Sequence, residues 1–200
     1  MIVRIRATSV QTPEQRSAGA PLRAIFVAAA LALIASPATV LATGLVPRSL
    51  GPATGTVVTA EQKYPAGTIV IVSDNRTLDL VVSGNRAIRY RIGVGRDGFR
   101  WSGVVKVGRK AEWPDWRPPA EMKARVAGLP ELVPAGPLNP MGARGIYLYR
   151  GKADTLYRIH GTNEQSTVGD FASSGCFRMS NADVIDLYDR VKVGTTVIVK

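Results

Sequence analysis

Apolar and polar positions fall into short β-branched runs along most of the chain, and their alternation predicts strands rather than long helices. The runs 68–73 (TIVIVS), 78–82 (LDLVV) and 87–92 (AIRYRI) follow one another across Asp74-Asn75-Arg76 and Ser83-Gly84-Asn85, a spacing that predicts an antiparallel meander. The third run alternates apolar residues with arginine, the pattern of a strand with one wet face. Residues 104–107, 146–149, 156–160 and 195–199 repeat the signal and place His160 at a strand end. Between them, Trp113–Pro119 carries three prolines in seven residues and cannot lie inside a ladder. Pro119 heads a short helical stretch to Arg125. Ser180, with Asp183 three residues on, caps a longer helix through Tyr188. Alternating strand–helix units, a GxGxxG fingerprint and a phosphate loop are all missing, which argues against nucleotide-binding α/β architectures and for a mainly β fold.

The amino-terminal stretch follows other rules. Arg16 and Arg23 precede twelve uncharged, mostly apolar residues, 24–35, too few to span a bilayer, which takes ~20. Small residues follow, so residues 1–42 read as a secretory signal cleaved after Ala42, the alternative being an uncleaved anchor that would bring the chain to the membrane. Residues 43–62, rich in Gly, Pro, Thr and Ala, read as a flexible linker, and 63–200 as the folded domain, starting near Tyr64. The expected compartment is an oxidising one beyond the inner membrane, the periplasm.

Composition narrows the chemistry. With 46% apolar residues in 200, one sizeable core is expected. The formal charge is +11, but the basic residues are scattered singly and no nucleic-acid-binding module is recognisable, so no nucleic-acid partner is expected. One cysteine and one histidine exclude an internal disulfide and a Cys/His zinc site.

That cysteine and histidine lie sixteen residues apart, each beside glycine, in His160-Gly161-Thr162 and Ser173-Ser174-Gly175-Cys176-Phe177-Arg178-Met179-Ser180-Asn181. A thiol attacks as thiolate, and an imidazole within reach can take its proton. Gly175 permits a tight turn at the nucleophile, and the N–H groups of Gly175 and Cys176 are candidate oxyanion donors. A buried structural cysteine and a hydrogen-bonded structural histidine are the competing readings.

The order His-Gly-Thr, then Ser-x-Gly-Cys-x-Arg-Met-x-Asn, resembles the L,D-transpeptidase (YkuD-type) catalytic domain, in particular its longer Gram-negative members. Arg109-Lys110, Trp113–Pro119, Asn139–Ala143 and Thr155–His160 extend the resemblance, as does the segment from Asp183 to Thr195. It implies an antiparallel β-sandwich with one or two packed helices. It also implies Cys176 as nucleophile, His160 as general acid/base, and a backbone carbonyl at Gly161 orienting the ring, with no metal and no cofactor. The implied substrate is a peptidoglycan stem tetrapeptide that loses D-alanine to form a thioester. The acyl group then passes to an amine, of a second stem or of a lipoprotein. Water as acceptor would make a carboxypeptidase, and loss of chemistry a wall-binding module of the same fold. Many members carry a second histidine where Ser174 stands, so Ser174 is assigned a supporting role. Arg178 is the expected holder of a stem carboxylate, pinning its own loop being the alternative. Trp101, Trp116 and Trp113 are expected contacts for glycan or stem, packing beneath a loop being theirs.

Overall fold

A computed structural model of the chain describes residues 51–60 and 64–200. Residues 1–42, read as the export segment, lie outside the described residues, as does the first part of the linker. The predicted meander is present as β2 (Ile69–Val72), β3 (Thr77–Ser83) and β4 (Arg86–Arg91), each antiparallel to the next. After the two-residue β5 (Val94–Gly95) come the long β6 (Gly103–Glu112) and the short helix α1 (Ala120–Arg125), with Pro119 at its amino end. A hairpin of β7 (Arg144–Arg150) and β8 (Ala153–His160) leads to β9 (Phe171–Ser173) and β10 (Phe177–Arg178). Helix α2 (Asn181–Arg190) and β11 (Thr196–Val199) complete the domain.

The strand missed by composition is β1 (Thr56–Thr59), which lies within residues 43–62. It pairs antiparallel with β4, so the sheet begins before Tyr64. Its residues stay largely exposed because it is an edge strand, so hydrogen bonding to β4 holds it and it carries little hydrophobic signature. The Thr54 N–H and Oγ both reach the Asp183 carboxylate, at 2.6 and 3.0 Å, and fasten the same segment to α2.

Among the described residues nine strands form one sheet in the order β1-β4-β3-β2-β11-β6-β7-β8-β10. The fold is mainly β, as expected, but the ladder is not wholly antiparallel: β2 with β11, β8 with β10, and the separate β5–β9 pair run parallel. The sheet folds back on itself. Gly93, just past β4, exchanges both backbone hydrogen bonds with Arg178 of β10, at 2.8 and 2.9 Å, and so joins residues near the two ends of the sheet. One core fills the interior, with Ile69, Ile71, Leu78, Tyr90, Ile146, Leu148 and Ile159 fully buried. Val184 and Leu187 of α2 close it over β7 and β8. Lys110 of β6 donates to the Tyr188 and Val191 carbonyls, both at 2.6 Å, and satisfies the carboxyl end of α2.

Candidate active site

His160 ends β8 with only 6% of its surface exposed. Its Nδ1 lies 2.5 Å from the Gly161 carbonyl oxygen, an acceptor, so Nδ1 carries the proton and Nε2 keeps its lone pair. Burial lowers the imidazole pKa to about 4, with the Arg178 and Arg158 charges adding to the shift and the Gly161 and Pro140 carbonyls opposing it. At neutral pH the ring is therefore an uncharged base of fixed tautomer.

Cys176 occupies the turn between β9 and β10. Gly175, at φ 108°, makes the turn in a region closed to side chains, and a Cβ there would overlap the Tyr157 ring. The turn is held internally: Gly175 N–H donates to Ser173 Oγ (3.1 Å), Ser173 Oγ–H donates to the Cys176 carbonyl (2.6 Å), and Trp101 Nε1–H donates to the Gly175 carbonyl (2.9 Å). The parallel register of β10 on β8 sets Arg178 beside His160 and Phe177 beside Ile159, which brings the turn carrying Cys176 alongside β8.

Opposite the thiol, β8 is distorted. Three residues, 155–157, stand against Leu148 of β7, and Leu156 adopts φ 61°, a strained conformation for a branched side chain. The distortion leaves the Leu156 carbonyl 3.8 Å from Cys176 Sγ. Its scaffold is polar: Leu156 N–H donates to Asp154, Tyr157 N–H to Thr155 Oγ, and Arg158 forks onto Asp154 at 2.6 and 2.9 Å. Cys176 keeps part of its surface open while protein crowds the rest. Desolvation raises its pKa, opposed by the Arg158 backbone and the Arg158 and Arg178 charges. In the resting site Cys176 is thus a thiol and His160 a neutral imidazole.

Several sequence expectations change here. Gly175 N–H, expected as an oxyanion donor, is already bonded to Ser173 Oγ, because the tight turn folds that side chain back over its own backbone. Arg178, expected to hold substrate, binds Thr167 Oγ (3.2 Å) and Glu164 (3.4 Å), since β10 pairing aims it along the 164–167 turn; it pins a loop. Trp101 packs beneath the turn, stacked on Tyr157 at 4.5 Å between centroids and against Phe177. Trp116 bridges Val133 through both backbone groups within the proline-rich excursion, and Trp113 sits at the start of that excursion, 37% exposed. Ser174 accepts from Arg96 Nη1 at 3.1 Å.

Two asparagines have tasks that spacing alone does not assign. Asn181 Oδ1 accepts from the Ala143 and Thr162 N–H groups (2.9 and 3.2 Å) and its Nδ2 donates to the Thr162 carbonyl (3.0 Å), tying α2 to the segment that follows His160. Asn139, 1% exposed, donates to the Pro114, Val133 and Pro134 carbonyls and accepts from Met141 N–H, anchoring the excursion beside the histidine. Asn181 was visible in the motif, but its partners lie 19 and 38 residues away and only the fold assembles them. Among the described residues no group of three or more His, Cys, Asp or Glu could hold a metal.

The family model of the L,D-transpeptidase catalytic domain (YkuD) matches residues 66–199 and so takes in every one of these site residues. The chain belongs to this family. Among curated relatives, the probable L,D-transpeptidase YbiS of Escherichia coli K12 is 44% identical over 56% of this chain and 37% of its own length. The chain thus matches well under half the length of that relative. A solved structure from Brucella melitensis, titled a probable carnitine operon oxidoreductase, is 45% identical over 70% of this chain and 89% of that one, with a TM-score of 0.50. The oxidoreductase name belongs to that protein. The L,D-transpeptidase from Mycobacterium smegmatis, 19% identical over 66% of this chain and 58% of its own, has a TM-score of 0.51 and shares the fold.

Proposed function

We propose that the chain is a cysteine-dependent L,D-transpeptidase acting on peptidoglycan stem tetrapeptides in the periplasm. The observation that carries this reading is the neutral, tautomer-locked His160 at the end of β8, the strand whose pairing with β10 brings the turn of the only thiol in the chain alongside it. Cys176 Sγ attacks the carbonyl at the L-centre of the third stem residue as its proton passes to Nε2. The Cys176 N–H, at the same turn, faces the developing oxyanion. The imidazolium then protonates the departing amine of D-alanine and the thioester forms. An acceptor amine attacks the thioester, loses its proton to Nε2 and regenerates the thiol. A second stem as acceptor gives a 3→3 cross-link, and a lipoprotein lysine gives an anchored protein. Residues 1–42 serve export, and a mature chain starting near Thr43 in the periplasmic fraction is the corresponding expectation.

Intact mass after incubation with a carbapenem tests the nucleophile. The wild type gains one acyl adduct and Cys176→Ala gains none, with thermal unfolding little changed because a single partly exposed sulfur is removed. An unmodified wild type, or an equally modified Cys176→Ala, refutes the assignment. Mass analysis of stem peptides then separates cross-linking from trimming by water and from mere binding.

A further inference from the structure

The arginines flanking the thiol already hold protein acids: Arg158 forks onto Asp154, and Arg178 binds Glu164 and Thr167. Arg96 differs. It follows β5, its N–H donates to the Ser173 carbonyl at 3.0 Å, and its guanidinium reaches Ser174 Oγ, two residues before Cys176. The same guanidinium lies over the Phe99 ring at 4.1 Å, and Arg125, the last residue of α1, approaches that ring at 4.9 Å. Both arginines are exposed, and neither forms an ion pair with an acid among the described residues. Phe99 is itself fixed against the catalytic turn, its carbonyl oxygen 3.3 Å from where a Gly175 Cβ would stand.

Two guanidinium groups gathered on one ring, neither in an ion pair among the described residues, make a cationic lip beside the Gly175–Cys176 turn. Arg96 spends Nη1 on Ser174 Oγ, and the planar guanidinium fork is the group that receives a carboxylate in a two-pronged bond. Resting on the transpeptidase reading, we propose that Arg96, assisted by Arg125 on the same Phe99 ring, reads a free carboxylate of the donor stem peptide and determines specificity for it. Arg178, by contrast, is engaged with its own loop through Nη1.

Steady-state kinetics test this with the stem tetrapeptide and with versions amidated at one carboxylate at a time, using wild type, Arg96→Gln and Arg96→Lys. Because Arg96 is exposed, the variants fold, and unchanged thermal unfolding verifies it. Arg96→Gln is expected to raise KM for the free tetrapeptide about tenfold while kcat changes less than about threefold, and Arg96→Lys to recover part of the loss. One amidated peptide should be penalised with the wild type and not with Arg96→Gln, which identifies the carboxylate that is read. Arg96→Gln with KM within about twofold of wild type, or penalties that add for every amidated peptide, overturns the assignment of Arg96 alone. A wild type that turns over none of the peptides overturns the transpeptidase reading and this one together.

Discussion

His160 is buried neutral, and that state has a cost in acid. Its folded pKa, about 4, lies below the ordinary value of 6.5, so between these values the unfolded chain binds more protons than the folded one. Stability is complete above pH 6.5 and declines as pH falls toward 4, by on the order of 3 kcal/mol from this group. Because it is the only histidine, its imidazole NMR signals titrate without overlap. We expect a midpoint near pH 4, and His160→Gln should flatten the loss of stability between pH 6.5 and 4. A midpoint near 6.5 would mean an open, hydrated ring and would undo the account of the resting pair. Cys176 and His160 stand out in the sequence because each is unique and glycine-flanked. The functions of Gly175 N–H and Arg178 are not legible there, since Ser173 Oγ and Glu164 capture them only once the turn and β10 have formed.

The amino end of α2 separates stability from catalysis within two adjacent residues. Ser180 Oγ accepts the Asp183 N–H at 3.0 Å and donates to its carboxylate at 2.8 Å, an acidic capping arrangement read correctly from spacing alone. Ser180→Ala should lower stability by about 1 kcal/mol with little effect on kcat, checked by denaturant unfolding beside turnover. Asn181 holds the backbone that presents the Gly161 carbonyl to His160 Nδ1, so Asn181→Ala should cut kcat at least tenfold with KM nearly constant, by freeing the imidazole to turn. A change confined to stability in both variants would reduce Asn181 to a structural tie. Of the strands that the apolar runs revealed, β4, β6 and β11 alternate between core and solvent, β8 turns inward toward His160, and β2, β3 and β7 are buried on both faces over most of their length. Those the runs missed are β1 at an exposed edge and β5, β9 and β10, of two or three residues each, whose positions are set by distant partners.

Closure of the sheet connects the reactive turn to the far side of the domain. Gly93 and Arg178 exchange backbone hydrogen bonds where the residue after β4 meets β10, and β10 follows Cys176 directly. Close approach is possible because position 93 has no side chain: a Cβ there would stand 2.5 Å from the Thr167 carbonyl oxygen, a backbone atom that cannot swing away. Thr167 also supports Arg178 through its hydroxyl, so any displacement passes to β10 from two directions. Gly93→Ala should therefore cost about 1–3 kcal/mol through overpacking and also slow carbapenem acylation of Cys176 by shifting the strand that positions it. Lost stability alone does not establish the link. Val81→Ala, a cavity in β3 away from the thiol, provides a variant weakened by core loss without a forced shift of β10. Acylation rates measured well below both melting temperatures should fall for Gly93→Ala and hold for Val81→Ala. Equal rates in the two variants would show that the thiol is positioned by β8 and the Ser173–Trp101 contacts without help from the closing seam.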